Sequence, residues 1–321
     1  MQKEYHIAHI SDLHLNPVYF PERTNIVRRL LSQCRKLEVD HIIITGDVTN
    51  QAKPEELEHF RNVLKEFSLL DGRRSTVVIG NHDIFGGPYH AEDVLRFPST
   101  CKTTDFDTKV EEFYRNLKET FEGAKLFSSN SVFPFIKILG DVAIVGINSV
   151  ARWNTVRNPI GSNGKVDDKQ FEALKAILHS SLLSGKHLLV AIHHHFNKTG
   201  EASAASKVEK LWRAFESATM KMYKKKRLLK LFRTCNVKAI LHGHIHHHGE
   251  YERGGIRCLN AGGSIIPAQG SLPRFHLLTI HGTKLSVQTI PLQDADLKRN
   301  GVGNKTRKGQ AHFVTTGTYP E

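Results

Sequence analysis

The chain has 321 residues, 39% of them hydrophobic, enough to bury a large core as one elaborated domain. Four scattered cysteines, Cys34, Cys101, Cys235 and Cys258, show no C-x-x-C spacing and argue against a disulfide scaffold. No apolar run reaches the roughly 20 residues of a membrane span. The formal net charge of +13 implies an acidic partner, and the excess is local, with eleven Lys or Arg against three Glu in residues 198–233.

Met1 to Tyr5 is polar and carries no secretory hydrophobic segment, so the expected location is cytoplasmic. The strand-like run His6 to Ile10 ends in Asp12-Leu13-His14. A loop with Pro17 and Pro21 then leads into an amphipathic helix marked by Ile26, Leu30 and Leu37. His41 to Ile44 is a second strand, closed by Gly46-Asp47. Pro54-Glu55-Glu56 opens a helix with Leu57, Phe60, Leu64 and Phe67 on its apolar face. Thr76 to Ile79 delivers Gly80-Asn81-His82-Asp83.

An insertion over about 84–131 interrupts this rhythm: Gly86-Gly87-Pro88 breaks the chain, and a charged helix over about 107–121 is expected to cap one rim. Phe135 to Leu139 and Val142 to Ile147 predict a hairpin around Gly140-Asp141. Asp167 or Asp168 caps a helix carrying Phe171, Leu174, Ile177 and Leu178. Leu188 to Ile192 runs into His193-His194-His195, and Val237 to Leu241 into Gly243-His244-Ile245-His246. A strand at Gly255 to Leu259 and the hairpin Phe275 to Ile280 with Thr283 to Ile290 complete a domain over 1–292, and 293–321 is a polar tail.

Five polar clusters thus follow five apolar runs. Asp, Asn and His offer carboxylate, amide oxygen and neutral imidazole, the donors that borderline divalent ions accept. In an α/β fold the loops after the strands' carboxyl ends converge on one crevice, so residues distant in sequence can share a site.

These clusters, in this order and strand context, resemble the five motifs of calcineurin-like metallophosphoesterases over about residues 5–250. The resemblance implies an α/β fold, a four-layer αββα sandwich with mixed β-sheets and helical cap insertions. It also implies a phosphoester hydrolase using two divalent metal ions drawn from manganese, iron, zinc or cobalt. Carried over by position, Asp12, His14 and His246 hold one ion, Asn81, His194 and His244 the other, and Asp47 bridges them. His82 is the implied general acid, with Asp83 orienting its imidazole. Within the triplet, Phe196 stands where family members often have Pro two places after the ligand, which selects His194, with His193 as the alternative. Two ions about 3.5–4 Å apart lower the pKa of a bridging water, so a metal-bridging hydroxide attacks and no side-chain nucleophile is required.

The closest pattern is that of the bacterial cyclic-nucleotide phosphodiesterase branch, which implies a cyclic nucleotide-like diester. The basic stretch supports a competing reading. Val208, Leu211, Trp212, Phe215, Met222 and Tyr223 share one helical face ringed by Lys207, Lys210, Lys221 and Lys224 to Arg227, as in a helix lying on an anionic membrane. The enzyme would then sit at the inner face of the membrane as a pyrophosphatase of a nucleotide-linked lipid precursor in the lipid A pathway, although the best-known group of that kind has Arg where His82 stands. A non-catalytic scaffold of the same fold is disfavoured because every motif position is filled. Nucleic-acid binding fits the charge but lacks a motif. Arg152, Trp153 and Arg157 could hold a phosphate or a base, or simply form a surface loop.

Overall fold

The computed structural model describes residues 4–88, 91–128, 131–197, 220–267 and 271–293. Three apolar runs become the parallel strands β1 (Tyr5–Ile10), β2 (His41–Thr45) and β3 (Ser75–Val78). They form sheet one with the hairpin of β13 (Arg274–His281) and β14 (Lys284–Pro291), in the order β14-β13-β1-β2-β3. Sheet two is built around the parallel strands β6 (Val142–Ile147), β8 (His187–Ile192), β10 (Ala239–His242) and β12 (Ile256–Asn260). Its edges are antiparallel: β11 (Gly249–Arg253) beside β12, and β5 (Phe135–Leu139) beside β6 with β4 (Lys125–Leu126) outermost. Both sheets are mixed, and the fold is the α/β sandwich expected.

Sheet one meets sheet two where β2 lies over β8 and β3 over β6. Helices α1 (Pro21–Lys36) and α2 (Pro54–Glu66) cover sheet one with Val27, Leu30, Leu57, Phe60 and Leu64. On sheet two, α5 (Asp168–Leu178) and α6 (Lys225–Thr234) bury Phe171, Leu174, Leu228 and Phe232 against Ala143, Val145, Leu188, Val190 and Ile192. Each such side chain contributes about 1.5–3 kcal/mol on burial. Asp167 caps α5 by accepting from Gln170 N at 2.8 Å.

The insertion holds two helices, α3 (Ala91–Thr103) and α4 (Phe106–Leu117), rather than one. Asp105 caps α4, and α4 packs on α2, where Arg61 grips Glu119 through both guanidinium nitrogens at 2.7 Å. The same insertion supplies edge strand β4, so it braces sheet two as well as α2.

The basic stretch departs from the single interfacial helix expected. Met222 and Tyr223 form β9, paired with β7 (Gly164–Lys165), and Met222 is buried. Lys224 and Arg227 bind Asp168 at 2.9 and 2.8 Å, and Arg227 lies 3.6 Å over the Phe171 ring. The apolar side of α6 is spent on sheet two. Val208, Leu211, Trp212, Phe215, Lys207 and Lys210 lie outside the described residues. Among the described residues no helix is long and apolar enough to cross a membrane.

Candidate metal centre

Because β1, β2, β3, β8 and β10 are parallel within their sheets, their carboxyl ends deliver the five motifs to one edge. The chain turns sharply there: Asp12 (φ 57), His14 (φ 42), Asp47 (φ 51) and His244 (φ 73) all adopt the left-handed conformation that side-chain-bearing residues avoid. Such strain persists only where the surroundings over-determine it, and it clusters at functional sites. The loops also interdigitate closely. A Cβ on Gly243 would sit 2.2 Å from Asp12 Oδ2, and one on Gly80 would sit 2.2 Å from Asp47 Oδ1.

Two groups of donors result. In the first, His14 Nε2 and His246 Nε2 are 2.9 Å apart, and Asp12 Oδ1 is 3.5 Å from His246 Nε2. In the second, His193 Nε2 lies 3.1 Å from Asn81 Oδ1 and 3.2 Å from His244 Nδ1. Asp47 Oδ2 stands between them, 3.3 Å from His193 Nε2 and 3.9 Å from His14 Nε2. Imidazole nitrogens facing one another and a carboxylate at such separations suit cations placed among them, and the donor set is the one borderline divalent ions take.

The triplet reading is corrected by this geometry. His194 points away: its Nδ1 pairs with Ser149 Oγ at 2.8 Å and its Nε2 with Ser162 O at 3.3 Å. His193 occupies the place expected of His194, and its other nitrogen donates to Thr45 O at 2.8 Å, which fixes the ring. His195 is turned to Met220 O.

Electrostatics favour positive charge in the crevice. Burial alone would raise the Asp47 carboxyl, but His193 and His82 hold it well below the usual carboxylate range. His193 shows the reverse: burial lowers it and Asp47 raises it, to about 9. Burial keeps His14 and His244 neutral, the form in which imidazole ligates.

His82 sits half-buried on the rim, its ring edge-on to that of His14 with the centroids 4.5 Å apart. Asp83 does not orient it. Asp83 accepts from Thr49 N (2.9 Å), Thr49 Oγ1 (3.0 Å) and Gly80 N (2.8 Å), tying two motif loops together, while the partner of His82 Nδ1 is the Asn50 carbonyl at 3.0 Å. A backbone carbonyl leaves no trace in side-chain type, so the sequence does not disclose Asn50 as the partner of His82. Also missed was Arg23, which donates to His14 O at 2.8 Å. Ser149, at the end of β6, was another; only its place after a sixth strand could have flagged it.

The calcineurin-like phosphoesterase family profile matches residues 5–248. No curated protein sequence matches the chain. Among solved structures, a dimetal phosphatase from Danio rerio is similar at 14% identity and a TM-score of 0.56, over 90% of this chain and 99% of that one. A purple acid phosphatase from yellow lupin is similar at 13% identity and 0.58, over 92% of this chain and 52% of the other.

Proposed function

Because the chain belongs to the calcineurin-like phosphoesterase family, we propose that its crevice is the active site of a dinuclear phosphodiesterase. Asp12, His14 and His246 hold one divalent ion, and Asn81, His193 and His244 the other. Asp47 is shared, and its Oδ2 between the two histidine groups is the observation that carries the reading. Bound there, the ions supply Lewis acidity and a water acidic enough to attack at neutral pH.

The chain's own part is positioning and proton transfer. With Nδ1–H donated to the Asn50 carbonyl, His82 keeps Nε2 for a proton delivered to the leaving oxygen. Asp83, bound to Thr49 and Gly80, holds the loop that carries His82. Arg23, fixed on the His14 carbonyl, places a positive charge near the first group.

The substrate we propose is a soluble, cyclic nucleotide-like diester, supported by the Gly80-Asn81-His82-Asp83 and histidine-run pattern. The test is turnover of the manganese-loaded protein on cyclic AMP, bis-p-nitrophenyl phosphate and a nucleotide-diphosphate lipid, with Asp47→Ala as blank. Soluble diesters should be preferred. A preference for the lipid would overturn the substrate class, and no turnover of any of the three would overturn the diesterase reading.

A further inference from the structure

A cavity of about 330 Å³ is lined by the segments that follow β6 and by the β7–β9 pair, and it shares no residue with the two donor groups. Two sets of side-chain contacts lie between it and the crevice. Asn148 and Val150 line it, and Ser149 between them holds His194, whose ring lies 4.3 Å from that of His244. On the other side it is bounded by Phe106 of the insertion, 6.2 Å from Phe85 in the loop that carries His82. It is therefore a neighbouring compartment, separated from the donors by Ser149 and His194, both fully buried.

Its chemistry is aromatic and cationic. Trp153 and Tyr223 already have their polar tips engaged, Trp153 Nε1 donating to Pro159 O and Tyr223 OH to Arg157 O, both at 3.1 Å. What they offer a ligand is ring surface. Of the four cations on the walls, Arg152 pairs with Asp107 and Lys224 with Asp168. The side chains of Arg157 and Lys165 have no partner among the described residues, and Asp167 is the one carboxylate in the lining. Ring walls with two uncommitted cations fit a planar base that carries a phosphate.

We infer that this cavity takes a nucleotide arm of the substrate, its base against Trp153 and Tyr223 and its phosphate against Arg157 and Lys165. The inference rests on the diesterase reading and narrows it. A cyclic mononucleotide carries one base and one phosphate and so occupies one compartment, whereas a diester whose second nucleotide bears its own phosphate presents a group to each.

Trp153 is a built-in reporter, because the chain has two tryptophans and Trp212→Phe leaves it alone. Full-length protein, before and after manganese loading, is titrated with AMP while Trp153 fluorescence is read. Saturable quenching is expected in both states, with the midpoint raised about tenfold or more in Arg157→Ala/Lys165→Ala. No quenching at millimolar AMP, or an unchanged midpoint in the double variant, overturns the inference. Should Trp212→Phe fail to fold, calorimetric titration of the wild type against the double variant decides the same point. In steady state, the double variant should raise KM for a dinucleotide diester that carries a terminal phosphate and leave methyl p-nitrophenyl phosphate unchanged; equal effects on both would overturn it. Diester turnover without AMP binding removes the cavity's role alone, whereas AMP binding without any turnover removes the proposed reaction alone.

Discussion

His193 and His194 differ by one residue and by the face of β8 they continue. Leu188, Val190 and Ile192 pack with the α5 and α6 layer, whereas Leu189 and Ala191 belong to the core shared with sheet one. Strand alternation therefore carries His193 inward to Asp47 and His194 outward to Ser149. His193→Ala should lose one of two manganese equivalents and cut turnover by roughly 100-fold or more. His194→Ala should keep both ions, and metal analysis beside kinetics separates them; equal metal loss in the two variants would return His194 to the ligand set. At the rim, a Cβ on Gly87 would come within 2.3 Å of His82 Cε1. Gly87→Ala should accordingly displace the imidazole, retaining metal while slowing poor leaving groups by about 100-fold and sparing good ones. Uniform loss on both kinds of leaving group would assign Gly87 to folding instead.

At the scale of elements, β5 shows what a sequence pattern conceals. Lys137 reads as the exposed residue of an alternating strand, yet it is 2% exposed. Its ammonium donates to Gly72 O at 3.0 Å, Ser75 O at 2.6 Å and Thr120 O, pinning the entry to β3 and the turn that ends the insertion to β5. Lys137→Met fills the space but orphans three buried carbonyls, each worth about 1–3 kcal/mol. Urea unfolding should show a loss of about 3 kcal/mol or more, and a loss under about 1 kcal/mol would mean that water replaces the ammonium. The strands and the motif order were legible because β-branched runs and the clusters behind them are local signals. Lys137 was not, since its partners lie 17 to 65 residues away. The pairing of Lys224 and Arg227 was hidden for the same reason: Asp168 and Glu172, which neutralise them, come from α5, 55 to 59 residues earlier. Composition displays the cations without the acids that fold against them.

For the molecule as a whole, the histidines that burial holds below the usual imidazole range, among them His9, His41 and His276, make folding sensitive to acid, and one of them isolates the effect. His41 opens β2, at the end of the strand opposite Asp47. It is fully buried, Nδ1 donating to Arg73 O and Nε2 accepting from Thr76 Oγ1, both at 2.8 Å. Burial, reinforced by the Lys137 charge, pushes its pKa down from 6.5 to about 3. Between those values the unfolded imidazole takes up a proton that the folded one refuses. Its contribution to stability is complete above pH 6.5 and is lost progressively as pH falls toward 3. One such site adds a slope of about 1.4 kcal/mol per pH unit inside that window. His41→Gln should therefore be less stable than the wild type at neutral pH yet show a shallower decline on acidification, measured as unfolding free energy from urea titrations across the window. Parallel curves for the two proteins would show that His41 titrates alike folded and unfolded, and the acid sensitivity would then belong to the other buried imidazoles, among them His276, which burial lowers to about 4.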